Sequence, residues 1–102
     1  MSIVVETSGD TTIIHVNGRL IYGETDYKEF SLISEHIADF ESQSIVVDLL
    51  KCSYLETRVI AIILEVHQTL RKANRSFSFA NVSVDIVELF KAINLDKIIR
   101  IN

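Results

Sequence analysis

Five short segments of the chain have the length and hydrophobic pattern of β-strands: residues 3–5, 11–16, 45–50, 76–80 and 97–101. The first two flank Ser8-Gly9-Asp10, a turn-forming cluster, and therefore predict a β-hairpin with Ile14 and Val16 on one face. The third is a nearly continuous run of β-branched and aliphatic residues, which is typical of a buried strand. The fourth alternates serine with phenylalanine, as a strand with one buried face does.

Three longer segments carry apolar residues at spacings of three and four, which predicts amphipathic helices. Their apolar stripes are Tyr27, Phe30, Ile33, Ile37 and Phe40 in the first, Val59, Ile62, Ile63, Val66 and Leu70 in the second, and Ile86, Leu89, Phe90 and Ile93 in the third. The first helix has Glu24 or Thr25 near its N-cap, and the second extends over about residues 57–73. Ser83 caps the third helix, which ends at Asn94 because asparagine tolerates a left-handed backbone.

The resulting element order is ββαβαβαβ. Strands that alternate with helices after an opening hairpin predict an α/β fold with a mixed, mainly parallel sheet of four to five strands and helices packed on it. A chain of 102 residues suits a single domain, so we assign residues 1–102 to one unit.

The junction between the third strand and the second helix, Tyr54-Leu55-Glu56-Thr57-Arg58, is the candidate functional site. Backbone N–H groups at a helix N-terminus lack intrahelical partners, so an anionic group is favoured there. A threonine hydroxyl that gains a phosphate at such a place would be a suitable switch. The alternative is that Thr57 caps the helix and is never modified.

Composition and charge narrow the function classes. A net charge of −4, with basic residues scattered along the chain, argues against a nucleic-acid-binding protein. The longest purely apolar run, residues 59–64, is far too short to span a membrane, and no secretory signal precedes the first strand. A single cysteine fits a reducing compartment, so we expect a cytoplasmic protein.

No catalytic, metal or cofactor site is predicted. His15, His36 and His67 lie on separate predicted elements without metal-ligand spacing, so they are interpreted as ordinary surface or half-buried side chains. Cys52 has no assignable histidine partner and is interpreted as a loop thiol. Asp48 is expected to hydrogen-bond to a neighbouring turn at the end of its strand.

Four short motifs in the expected order resemble those of the STAS domain, the fold of bacterial anti-sigma factor antagonists and stressosome subunits. They are Asn17-Gly18-Arg19-Leu20, Ile45-Val46-Val47-Asp48-Leu49, Tyr54-Leu55-Glu56-Thr57, and Asn81-Val82-Ser83-Val84 with the ending Ile93-Asn94-Leu95-Asp96-Lys97-Ile98-Ile99. The resemblance extends over nearly the whole chain and implies a non-enzymatic regulator.

In proteins of this kind a hydroxyl after an acidic residue is phosphorylated by a switch kinase of the anti-sigma type, and a PP2C-like phosphatase reverses the modification. The unmodified form binds the kinase and the phosphorylated form releases it. By position the resemblance assigns Thr57 as phosphoacceptor and Glu56 as the preceding acid. Arg58-Val59 replaces the family's serine-glycine, which implies weakened docking or a different partner, and Ile21 replaces a common aspartate.

The predicted partner-binding residues surround this corner: Tyr54, Glu56, Thr57, Arg58, Glu24 and Thr25. Glu24 and Thr25 belong to the loop after the second strand, which should lie at the same end of the sheet. Two alternatives stay open at this point: an unphosphorylated scaffold or oligomerising subunit of a signalling or transport complex, and a small-ligand or lipid-transfer module. A homodimer is compatible with any of them.

Overall fold

The computed structural model describes residues 3–102, and its elements follow the predicted order with two additional strands. The strands and helices are β1 (Ile3–Ser8), β2 (Thr11–Val16), β3 (Gly18–Leu20), α1 (Thr25–Glu35), β4 (Ser44–Asp48), β5 (Cys52–Leu55), α2 (Val59–Lys72), β6 (Ser76–Ala80), α3 (Val84–Ala92) and β7 (Arg100–Ile101). Short 3-10 turns cover Ile37–Asp39 and Leu95–Lys97.

The main sheet has five strands in the order β1-β2-β4-β6-β7. β1 and β2 form the predicted antiparallel hairpin, with Ile3 opposite Val16 and Val5 opposite Ile14. The other neighbouring pairs, β2–β4, β4–β6 and β6–β7, are parallel. The prediction of a mixed, mainly parallel sheet in an α/β fold is therefore confirmed.

The hydrophobic core lies on one face of this sheet. Burial alternates along β2 and β4, so Ile14, Val16, Ile45 and Val47 are buried while the residues between them are half-exposed. The inward strand residues share one cluster with the buried stripes of the helices, including Phe30, and Phe79 packs on Phe90 with ring centroids 5.0 Å apart. The run 45–50 is therefore covered on one side only, although its composition predicted a fully buried strand.

A second, two-stranded parallel sheet, formed by β3 and β5, was not predicted. Cys52 was predicted to be a loop thiol, and this interpretation is wrong because Cys52 is the first residue of β5. Leu20 pairs with Leu55, and the backbone N–H of Gly18 donates to the carbonyl of Lys51 at 3.0 Å. Because β3 follows β2 and β5 follows β4, this pair extends the β2–β4 ladder beyond its carboxyl end.

Several predicted boundaries shift by a few residues. The first helix ends at Glu35, so Ile37 and Phe40 lie beyond it, and the predicted strand 97–101 is reduced to β7 after a 3-10 turn. The predicted cap of α3 is confirmed, since the Ser83 hydroxyl accepts from the Ile86 N–H at 3.3 Å. Asn94 has φ 61°, the left-handed conformation expected where that helix ends.

Candidate functional site

The candidate site is the corner between β5 and α2, and the second sheet holds it in place. Leu20 and Leu55 are almost fully buried, at 0% and 3% exposure, so both strands of that sheet are anchored in the core. The Glu56 N–H donates to the Leu20 carbonyl at 3.1 Å, which continues the pairing to the start of the corner. The residues after Leu55 therefore project from a rigid support.

Thr57 lies two residues before the helix, and the predicted start of the helix at this residue is wrong. The helix begins at Val59, with Arg58 at the N-cap position, and no side chain caps it there. The Val59 and Ile60 N–H groups donate to the carbonyls of Glu56 and Thr57 at 3.1 and 3.0 Å. A tight turn thus occupies these two N–H donors, which were predicted to be free for an anion. Thr57 is therefore not the N-cap residue of α2.

The side chains of the corner are largely open to solvent. Tyr54 is 55% exposed and the Arg58 side chain 64%, while Thr57 is exposed and Glu56 is half-buried. These four residues lie along one wall of a groove of about 600 Å³. The described residues that line the groove are Ser53, Tyr54, Leu55, Glu56, Thr57, Arg58, Asp85, Ile86 and Leu89.

The opposite wall of the groove belongs to α3, and the sequence analysis did not connect this helix with the site. Asp85, Ile86 and Leu89 contribute that wall. The spacing of Ile86 and Leu89 predicted only an apolar stripe facing the core, and nothing in the local pattern shows that the first turn of α3 faces the corner. Among the described groove residues, Glu56 and Asp85 are acidic and Arg58 alone is cationic.

Tyr22, in the loop between β3 and α1, is a second residue that the sequence analysis missed. The Arg58 guanidinium carbon lies 4.4 Å from the centroid of the Tyr22 ring, a cation–π contact. Tyr22 also packs edge-on against Tyr27, with ring centroids 5.3 Å apart, and is 58% exposed. Tyrosine and arginine are, with tryptophan, the side chains enriched at binding hot spots, so the residue type of Tyr22 was the signal that the sequence offered.

Glu24 and Thr25 lie in the same loop as Tyr22 but border a different depression. Glu24 occupies the N-cap position of α1 as predicted, but its carboxylate accepts from Arg19 Nε and Nη2 at 3.0 and 3.2 Å instead of capping the helix. This depression is lined by Arg19, Gly23, Glu24, Thr25 and Asp26. Of the predicted partner-binding residues, the groove therefore brings together Tyr54, Glu56, Thr57 and Arg58, while Glu24 and Thr25 adjoin it through Tyr22.

Cys52 is not available for nucleophilic chemistry. Its thiol is buried and donates to the Tyr54 carbonyl at 3.3 Å. Burial raises the pKa of this thiol, so the reactive thiolate is disfavoured at neutral pH.

A polar cluster crosses the sheet face opposite the helices. His15 Nδ1 lies 2.6 Å from Asp48 Oδ2, and His15 Nε2 lies 3.0 Å from Glu6 Oε1. Asp48 also accepts from the Leu50 N–H and from the Asn81 side-chain amide, both at 3.0 Å, which confirms its predicted contact with a turn. Hydrogen bonds to Glu6 and then to Asp48 raise the pKa of His15 above its ordinary value.

The opposing effects on Asp48 leave its carboxyl more acidic than usual. Burial by itself would raise the pKa of Asp48, but the hydrogen bonds from Asn81, the Leu50 N–H and His15 outweigh burial and lower it. The cluster therefore favours the protonated form of His15 between the two carboxylates and connects β1, β2 and β4. Over residues 3–102, no group of three or more His, Cys, Asp or Glu side chains is arranged to bind a metal ion. The helices in this part of the chain are all too short or too polar to cross a membrane.

Residues 2–102 match the family model described as the STAS domain. The sequence matches no protein with a curated description at a significant level. Among solved structures, an anti-sigma factor antagonist from Mycobacterium paratuberculosis superimposes with a TM-score of 0.81 at 20% identity, covering 97% of this chain and 82% of that one.

The anti-sigma factor antagonist SpoIIAA is similar in two forms. Its unphosphorylated form has a TM-score of 0.70 at 16% identity, covering 87% of this chain and 81% of that one. The phosphorylated form, described as a Bacillus cell fate determinant, has a TM-score of 0.74 at 16% identity and covers 98% and 90% of the two chains. At these identities the structural similarity concerns the fold alone.

Proposed function

The chain belongs to the STAS domain family, and on this premise we propose that it is a non-enzymatic switch protein of the anti-sigma factor antagonist type. In this proposal the unmodified corner binds a partner kinase of the anti-sigma or switch type. The kinase phosphorylates Thr57, the complex then dissociates, and a PP2C-like phosphatase restores the unmodified form. SpoIIAA, which shares the fold, is described in phosphorylated and unphosphorylated forms.

The observation that carries the proposal is the position of Thr57. Its side chain is exposed on the wall of the groove, and the residues before it are anchored by the buried pair Leu20 and Leu55. A hydroxyl that must enter a kinase active site has to be both accessible and held in a defined place. Thr57 meets both conditions because an ordered strand and an ordered helix flank it closely.

The charge of a phosphate explains how the modification would release the partner. Phosphothreonine carries a charge of about −1.5 to −2 at neutral pH. If the partner covers Thr57, that charge is buried between two proteins beside Glu56 and Asp85, which are already acidic. A poorly compensated buried charge costs roughly 3–5 kcal/mol, which corresponds to a loss of affinity of about two to almost four decades. The fold itself need not change.

The chemical step needs only groups that the kinase and ATP supply. The Thr57 hydroxyl oxygen attacks the γ-phosphorus, the bond from that phosphorus to the ADP oxygen breaks, and the hydroxyl proton passes to a base of the kinase. The test is incubation of this protein with a switch kinase from the same organism and Mg-ATP, followed by intact-mass analysis and peptide mapping. We expect a gain of one phosphoryl group on Thr57.

The matched control is Thr57→Val, which keeps the β-branched shape and removes the hydroxyl. This variant should gain no phosphate and should still bind the kinase. A second arm uses Thr57→Glu, which should bind the kinase at least about tenfold more weakly while its circular-dichroism spectrum stays unchanged. If the wild-type protein gains no mass although it binds the kinase, the corner is unmodified and the scaffold alternative replaces the switch.

A further inference from the structure

The contact between Arg58 and Tyr22 links the proposed phosphorylation site to a loop that lies far from it in the sequence. Arg58 follows Thr57 directly and lines the same groove, yet its guanidinium lies over the Tyr22 ring at 4.4 Å. Glu56 offers it a competing carboxylate, but Arg58 Nε and Glu56 Oε1 are 4.0 Å apart, beyond hydrogen-bond distance. In the unmodified protein the aromatic face is therefore the close partner of this cation.

A phosphate on Thr57 would offer Arg58 a stronger partner than the Tyr22 ring. Among the described residues that line the groove, Arg58 is the only cation, and Glu56 and Asp85 would repel the added charge. Charge-assisted hydrogen bonds from a guanidinium to a phosphate are stronger than a cation–π contact at an exposed site. The Arg58 side chain is 64% exposed, so no packing in the core holds it over the ring.

We propose that Arg58 moves from the Tyr22 ring to the phosphate when Thr57 is phosphorylated, and that Tyr22 thereby becomes a second surface through which a protein partner senses the switch. This inference rests on the proposed function. Tyr22 is 58% exposed, and its ring makes a T-shaped contact with the ring of Tyr27. A partner that covers both the corner and Tyr22 would contact an added negative charge at Thr57 and an uncovered aromatic face at Tyr22.

The backbone of the loop that carries Tyr22 is expected to keep its conformation when Arg58 moves from the ring to the phosphate. The Glu24 N–H donates to the Ile21 carbonyl at 3.0 Å, and Arg19 holds the Glu24 carboxylate through two hydrogen bonds. Gly23 has φ +87°, a conformation that glycine adopts without strain. The change is therefore expected in the surroundings of the Tyr22 ring, with the path of the chain preserved.

The test installs the phosphate by chemistry and so needs no kinase. Cys52 is the single cysteine and precedes Thr57 by five residues, so the full chain can be assembled from segments 1–51 and 52–102 by ligation at Cys52, with threonine or phosphothreonine at position 57. Because a proton above an aromatic ring resonates upfield, the Arg58 side-chain protons report the Tyr22 contact by NMR. A Tyr22→Leu version, which lacks the ring, defines the shift of a free Arg58 side chain.

In the unmodified chain we expect the Arg58 protons to lie upfield of their positions in Tyr22→Leu. In the phosphorylated chain most of that difference should vanish, and the amide signals of Tyr22 and Gly23 should shift. With Arg58→Gln, phosphorylation should leave those two amide signals in place, since no cation leaves the ring. An unchanged ring-current shift after phosphorylation, or equal loop shifts with and without Arg58, would overturn the inference.

The NMR test distinguishes failure of this inference from failure of the proposed function. If the kinase phosphorylates Thr57 and Arg58 nevertheless stays on Tyr22, the switch survives and the coupling to Tyr22 fails. If the synthetic phosphoprotein shows the exchange but no kinase modifies the chain, the coupling survives and the switch fails.

Discussion

His15→Gln tests whether a protonated histidine holds β1, β2 and β4 of the main sheet together. In its protonated form His15 donates to Glu6 at 3.0 Å and to Asp48 at 2.6 Å, and so connects β1, β2 and β4 across the face opposite the helices. Glutamine keeps a polar side chain of moderate length but has no charge to gain. The substitution therefore removes the pH-dependent part of this contact.

The sign of the effect follows from the direction of the pKa shift. The two carboxylates raise the pKa of His15 above its ordinary value of 6.5, so the stabilisation is fully present below pH 6.5 and is lost as the pH rises through the folded-state pKa. The His15 side chain is 28% exposed and Glu6 58%, so solvent screens the contacts. We therefore expect about 1 kcal/mol at pH 6, equivalent to a melting-temperature change of roughly 4–8 °C.

The assay is urea unfolding at half-unit steps from pH 5.5 to 8.5. The wild-type protein should lose stability toward the upper end of this range, and His15→Gln should show a smaller slope and start from a lower value. His36→Gln is the matched control, because His36 and Asp39 are both mostly exposed and such pairs contribute little. Equal slopes for the wild type and His15→Gln would refute the assignment of this stabilisation to His15.

Two further predictions concern the elements that form the groove. Leu20→Ala should lower the free energy of unfolding by about 2–5 kcal/mol, because Leu20 is fully buried beneath the corner, and urea denaturation measures this. The control Leu50→Ala should change it by less than about 0.5 kcal/mol, because Leu50 is 66% exposed, and equal losses would contradict the assignment of this stabilisation to the burial of Leu20. Ser83→Ala should lower the stability by about 1 kcal/mol through loss of the α3 cap, seen as a lower melting temperature, whereas Ser83→Asp should retain it. An unchanged melting temperature in Ser83→Ala would mean that the hydrogen bond to Ile86 is not stabilising.

Much of the candidate site could be located from the sequence, because its position depends on local pattern. The end of an apolar strand and the start of an amphipathic helix are visible within a few residues of each other, and Tyr54, Glu56, Thr57 and Arg58 lie between them. The error in the start of the helix has a local cause. A tight turn closed by the Glu56 carbonyl takes up residues that a propensity argument assigns to the helix.

The other half of the site could not be located in this way. Tyr22 and the first turn of α3 lie at the corner only because the chain folds back onto it. The residue spacing within either segment does not predict that contact. The pairing of β3 with β5 was missed for the same reason. Each strand is very short, and its partner is distant in the sequence, so neither shows a strand pattern of its own.

The sequence by itself determined the order of the helices and of the strands of the main sheet, the hairpin, the apolar stripes of the helices, the Ser83 cap and the left-handed Asn94. These features follow from periodicity and backbone preference, which act over a few neighbouring residues. Only the tertiary structure decided which face of the sheet is covered, that β3 and β5 support the corner, and that Arg58 lies on Tyr22. Those arrangements depend on contacts between segments that are distant in the sequence, and such contacts form only when the whole core packs.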